Sequence, residues 1–329
     1  MRKRNLFLIA GACLASLSLA VGSAMADPTG APTFRQLAGT GSDTTQGVMN
    51  GLSDVIVDGT STKIIGSYDA ATAPGQTISP KATPACTNIP RPSGSGAGVT
   101  ALINSQTAGD GCLQFARSSA NDAASRTGAN LTYIPFAVDA VSYAVRGDSG
   151  VSKKLTLAQL TTVYNCGGGA NFKPLLPQFG SGTRKFFLQK LGFTDAADFT
   201  SQPNHTCISQ VDSVGNPLLE NTGTLITDPK NVAPYSIAQY LSQINGVVPD
   251  VHGTTLLGSI GSVSPTVPNT DSAMVRDVYN VVPTSQLGVA PTSTTFVGSS
   301  SAVCTNSATI KRFGFAPNPL CGDTAIHTP

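Results

Sequence analysis

At three places along this chain a turn rich in glycine and hydroxyl residues runs straight into an apolar stripe with helical spacing. Gly39-Thr40-Gly41-Ser42-Asp43-Thr44-Thr45-Gln46 precedes Val48, Leu52 and Val55. Ser93-Gly94-Ser95-Gly96-Ala97-Gly98 precedes Val99, Leu102 and Ile103, and Phe179-Gly180-Ser181-Gly182-Thr183-Arg184 precedes Phe187, Leu188 and Leu191. Ser181 reads as an N-cap, and Asp43 with Gln46 and Thr156 with Gln159 as capping boxes, the latter opening a helix through Leu160 and Val163. Extended segments are predicted at Phe34–Ala38, Lys63–Tyr68 and Cys112–Phe115, the last ending in Ala116-Arg117-Ser118-Ser119. The longest spans Tyr133–Val145, where Val141, Tyr143 and Val145 alternate and Pro135 weakens the start as a central strand. Ser209–Leu219 reads as helix, and Tyr235–Ile244 fits strand or helix. From Val247 onward the apolar segments are short.

Residues 1–26 read as an export leader: Arg2, Lys3 and Arg4, an apolar run from Leu6 to Val21, then Ala24-Met25-Ala26 as the cleavage site. A competing reading makes Cys13 a lipid acceptor, although Ala10-Gly11-Ala12 matches that signal poorly. The whole chain carries 20 cations and 18 acids. Cleavage after Ala26 leaves 17 cations against 18 acids, so no global field for nucleic acid remains. Six cysteines persist: Cys86, Cys112, Cys166, Cys207, Cys304 and Cys321. In an exported chain an even count reads as three disulfides, with about 15 pairings open.

Other chemistry is thinly supported. Gly147-Asp148-Ser149-Gly150 matches the string around a trypsin-like nucleophile, but His205, His252 and His327 all follow it. No nucleophile elbow, phosphate-loop lysine motif or H-E-x-x-H is present. Repetition of one device remains: hydroxyl-rich turns at 40–45, 93–98, 117–119 and 181–184, each at a helix start or strand end. Helix N-termini offer free amides and a positive dipole, so turns of this kind, brought together, surround an oxyanion without a catalytic base.

In their order these segments resemble the solute-binding proteins of phosphate ABC transporters, the PstS-like group, across roughly residues 35–245. The resemblance also rests on Phe115-Ala116-Arg117-Ser118-Ser119, Ile134-Pro135-Phe136-Ala137-Val138-Asp139-Ala140-Val141 and Leu155-Thr156. It implies an α/β, two-lobe periplasmic-binding-protein fold of type 2, with residues 33–140 and 236–329 in one lobe and 141–235 in the other. Crossover strands are expected near 136–146 and 232–240. By position it places Asp43 and Thr44, Ser95, and Ser181, Gly182 and Thr183 at the anion. Two departures stand out: Ser119 occupies the position of a family aspartate, and Pro177 that of a family arginine. Arg117 and Arg184 are the expected substitute cations, with Asp43 or Asp139 as the substitute carboxylate and Ser118 and Ser119 as further hydroxyls. The implied ligand is inorganic phosphate or a similar oxyanion, with no cofactor and no chemistry. A transporter permease is a possible partner, and the chain is expected to be a monomer. A secreted phosphoesterase and a surface interaction protein that lost its ligand are the alternatives. Keeping each disulfide within one implied lobe pairs Cys86 with Cys112, Cys166 with Cys207 and Cys304 with Cys321.

Overall fold

The computed structural model describes residues 27–212, 215, 217–261, 264–265 and 273–329. The expected leader, with Cys13, lies outside the described residues. The strands are β1 (Leu37–Gly41), β2 (Ile65–Ser67), β3 (Thr77–Ile78), β4 (Ile89–Pro90), β5 (Phe115–Ser118), β6 (Leu131–Arg146), β7 (Lys154–Leu155), β8 (Lys173–Pro174), β9 (Asn231–Ser236), β10 (Thr255–Leu257), β11 (Ser259–Ile260), β12 (Val275–Pro283) and β13 (Ala316–Pro317). The helices are α1 (Gln46–Val55), α2 (Ser95–Ala108), α3 (Leu157–Tyr164), α4 (Gly182–Lys190), α5 (Ile237–Ile244), α6 (Thr292–Phe296), α7 (Ala302–Thr305) and α8 (Ser307–Arg312).

The α/β fold is organised on β6. Its first part, Leu131–Ala140, pairs antiparallel with β12, which leads through β5 and β1 to β2. Its second part pairs with β9 over Val141–Ala144 and with β10 over Ala144–Arg146. One strand thus joins the two halves of a single nine-stranded mixed sheet, in the order β2-β1-β5-β12-β6-β9-β8. Pro135 is tolerated because the register slips there: Val278 faces Ala137 while Tyr279 faces Pro135, so Phe136 is the bulged residue.

Apolar clusters follow the same division. In the first lobe Leu37, Met49, Leu52, Phe115, Phe296 and Phe313 pack together, with Val99, Leu102, Tyr133, Tyr279 and Val281 in a separate cluster. The second lobe gathers Val141, Tyr143, Leu160, Tyr164, Phe187 and Val232, and a smaller group around Leu175, Leu218 and Tyr235. The three disulfides join the expected partners.

Several expectations change. The first strand forms at 37–41 rather than 34–38. Among the described residues of 209–219, where a helix is expected, isolated bridges join Leu175 with Ser209 and Val211 with Pro217. The ambiguous 235–244 segment is both: β9 ends at Ser236, whose hydroxyl accepts from Gln239 N and opens α5. Asp43 does not form a capping box, because Thr45 occupies the N-cap position of α1. The segment 251–261, assigned with the first lobe by the resemblance, pairs with β6 and β7 of the second.

Helix α2 lies against β1 through Gly98, where an added Cβ would stand 2.4 Å from Gly41 Cα. Gly98→Ala therefore pushes α2 off the strand end that carries the hydroxyl turn. A loss of about 1–3 kcal/mol is expected in urea unfolding; unchanged stability would show that α2 yields freely.

Candidate anion-binding site

The turn after β1, the start of α2, the end of β5 and the start of α4 meet at one point. Ser42 Oγ donates to Ser119 Oγ at 3.1 Å, and Ser119 N donates to Ser95 Oγ at 3.0 Å. Gly182 closes on them: a Cβ there would lie 2.3 Å from Ser119 Oγ and 2.5 Å from Ser95 Oγ, so only glycine fits. The loop before α4 is held to the first lobe by Gly96 N, which donates to Gly180 O at 3.0 Å.

Beside this serine cluster is a second layer. Thr44 Oγ1 and Thr183 Oγ1 lie 3.2 Å apart, and both donate to Glu220 Oε2, at 2.7 and 3.0 Å. Asn221 Nδ2 donates to Thr44 Oγ1 at 3.0 Å. Arg276 on β12 reaches the same place, its Nη2 donating to Thr183 Oγ1 at 3.0 Å and to Asp139 Oδ2 at 2.8 Å. Ser42, Thr44, Ser119, Thr183 and Asp139 are each 0% exposed.

Not every polar atom here is satisfied. Arg276 Nη1, Glu220 Oε1, Asp43 Oδ1, Thr40 Oγ1 and Thr45 Oγ1 are buried without a hydrogen-bond partner. Native proteins leave few such groups, and each costs about 1–3 kcal/mol, so the two on Arg276 and Glu220, which meet at Thr183, point to a polar ligand. The first amides of α2 and α4 add donors with no acceptor inside their own helices. Burial pushes the Asp43 carboxyl well above the usual carboxylate range. The charge of Glu220 and a hydrogen bond with it push the same way, while the amides of Thr44 and Asp43 itself oppose the shift.

Asp43, Thr44, Ser95, Ser119, Gly182 and Thr183 are the expected residues that converge. Ser181 caps α4, accepting from Arg184 N at 3.0 Å. Ser118 turns away and donates to Ala120 O. Both expected cations are engaged elsewhere. Arg117 donates to the carbonyls of Ser42 and Tyr68 and to Ser67 Oγ, and its burial lowers it to about 10 against the pull of Asp69 and Asp43. Arg184 bonds Asp195, Pro177 O, Gln210 and Ala196 O on the far side of α4. Asp139 stands one step back: Oδ2 accepts from Arg276, and Oδ1 from Ser236 Oγ and Ala238 N. Arg276, Glu220, Asn221 and Ser42 are the site residues that sequence reasoning did not single out.

No family model matches the chain, and no curated relative does. Solved structures do. One is a Clostridium perfringens protein assigned as a phosphate ABC transporter substrate-binding protein and solved with phosphate bound. It is 14% identical, matches 86% of this chain and 99% of its own, and has a TM-score of 0.56. An ABC-type phosphate transport receptor from Vibrio cholerae is 16% identical over 86% of this chain and 100% of its own, with a TM-score of 0.52. A phosphate-binding protein from Stenotrophomonas maltophilia is 14% identical over 87% and 91%, at 0.51. The chain shares the fold of these proteins. In this fold the hydroxyl turns lie where the two lobes face each other, and at such identity the likeness extends to the fold alone.

Two outcomes test the electrostatics. Arg276→Met leaves Asp139 buried and uncompensated, so stability is expected to fall by about 3–5 kcal/mol, whereas Arg276→Met with Asp139→Leu recovers much of it. Equal loss in the single and double variants, measured by chemical denaturation, would contradict the pairing. Asp43 binds its proton more tightly folded than unfolded, so its contribution to stability declines as pH rises above about 4. Asp43→Asn is expected to remove that decline, so the gap between variant and wild type in thermal melts widens with pH. A constant gap would show that Asp43 ionises normally.

Proposed function

We propose that this chain is an exported solute-binding protein that captures phosphate or a related oxyanion between its lobes, without chemistry. The observation that carries the reading is Arg276 Nη1, a buried guanidinium nitrogen with no hydrogen-bond partner, while Nη2 of the same group donates to the Thr183 hydroxyl. Guanidinium forks and hydroxyls suit the oxygens of a tetrahedral anion. The histidines lie apart from this point, His205 on Tyr164 O, His252 on Asp250 and His327 on Thr132. That placement supports capture over hydrolysis.

The proposed lobes are residues 33–140 with 236–329 and residues 141–235, amended by the return of 251–261 to the second. Thr44 of the first lobe is bonded to Glu220 of the second at a fully buried point. An anion therefore enters when the lobes part, with Asp139–Val141 and Ser236–Ile237 as hinges. Export rests on the leader signal in residues 1–26. No helix among the described residues is long and apolar enough to cross a membrane. A permease partner and a monomeric state belong to the same proposal.

Calorimetry with phosphate, arsenate and sulfate tests it. Heat with phosphate is expected, with at least tenfold weaker binding in Thr183→Ala, and a radius of gyration that falls on saturation. Silence with all three anions would overturn the assignment.

A further inference from the structure

A hydroxyl has one proton to give, and two hydroxyls of this site have already given theirs. Thr44 Oγ1 and Thr183 Oγ1 both donate to Glu220 Oε2, at 2.7 and 3.0 Å. Their lone pairs are met from behind, since Asn221 Nδ2 donates to Thr44 Oγ1 and Arg276 Nη2 to Thr183 Oγ1, each at 3.0 Å. Those two donors turn both hydroxyl protons toward the carboxylate. Glu220 is 3% exposed, and Thr44 and Thr183 are fully buried. We propose that Glu220 is a ligand supplied by the chain itself: its carboxylate takes the place of an oxyanion oxygen and must leave before an anion is held. The inference rests on the anion-capture reading above.

The chemistry of the exchange is balanced donor against acceptor. Carboxylate and phosphate oxygens call on the same partners, hydroxyls and guanidinium nitrogens. Both groups are negative, and two such charges do not share one buried point. The fit of the internal ligand is also incomplete. Glu220 Oε1 and Arg276 Nη1 stay buried without a hydrogen-bond partner. A carboxylate presents two oxygens, whereas a tetrahedral anion presents four, enough to take both threonine protons and Nη1 together. Exchange therefore pairs a donor that now has no partner and returns a carboxylate to water.

The main chain beside Glu220 is fixed, so only the side chain has to swing. Asn221 Oδ1 accepts from Ser236 N, and its carbonyl accepts from Tyr235 Oη at 2.6 Å and Gln243 Nε2 at 3.0 Å. Thr44 belongs to the first proposed lobe and Glu220 to the second, so the same contact ties the empty lobes together. With two atoms unpaired the tie is incomplete, and the empty chain exchanges between a latched form and an open one. Apparent affinity falls with the fraction of chains that is open, so a latch closed in about three chains of four weakens capture about fourfold.

Calorimetry on the full mature chain, with phosphate and acetate, tests the internal ligand. Glu220→Ala is expected to bind phosphate at least about threefold more tightly than the wild type. Acetate is expected to fill the place left by the side chain. In Glu220→Ala it then raises the apparent phosphate dissociation constant by direct competition, while the wild type is unaffected. Glu220→Gln, whose neutral amide is a weaker acceptor, serves should the alanine variant misfold, and it too is expected to bind phosphate more tightly. Equal or weaker phosphate binding in the folded variants overturns the internal ligand and leaves Glu220 a structural tie. Tighter phosphate binding that acetate does not oppose reports only the loss of a nearby negative charge, and overturns it as well. Silence with phosphate in the wild type and both variants overturns the capture reading itself, and is told apart by the absence of any heat to compare.

Discussion

The Asp139 carboxylate is the fixed point of this molecule. It lies on β6 one residue before the strand changes partner, from β12 up to Ala140 to β9 from Val141. Oδ2 takes Arg276 from the register-opposed position on β12, and Oδ1 takes Ser236 Oγ and the Ala238 amide at the start of α5. Buried ion pairs hold little net stability against an apolar replacement, but they hold geometry, because either partner alone is costly. Here the geometry matters: the same guanidinium places Nη2 on Thr183 of α4 and leaves Nη1 buried without a hydrogen-bond partner. One carboxylate thus ties β6 to β12, to the end of β9 and to the start of α5.

Close approach is the second constraint. Ser42, Ser95 and Ser119 bond one another, and α4 reaches Ser95 and Ser119 because Gly182 has no side chain to hold it away. A chain of hydroxyls that donate and accept in turn is adaptable: each can reverse its proton to suit an incoming oxygen.

Much of this was legible before any coordinates. Hydroxyl-rich turns ahead of apolar stripes are local signals, and four of them supplied Thr44, Ser95, Ser119 and Thr183. The cations were misread for a physical reason. Arg117 and Arg184 sit in those turns, but buried guanidiniums go where carbonyls and carboxylates satisfy most donors, and theirs lay outward, at Tyr68 O and at Asp195. Arg276 stands in an extended run, Val275-Arg276-Asp277-Val278, whose period was visible in principle. Its partner lies 137 residues away, and pairing across such a span leaves no mark in one sequence. Glu220 was hidden likewise, one residue past the segment 209–219 read as helix, whose described residues form isolated bridges. The disulfides were legible because the lobe assignment limited the choices.

The path of the chain has a mechanical consequence. It changes lobe along β6, again from β9 into α5, a third time on the way to β10, and a fourth between Met274 and β12. Neither lobe is therefore a continuous piece of polypeptide, and cutting any single connection leaves three others holding the halves together. A protease that nicks one of these links would yield a chain that still travels as one body, and the halves would not be recoverable as separate fragments by cutting once.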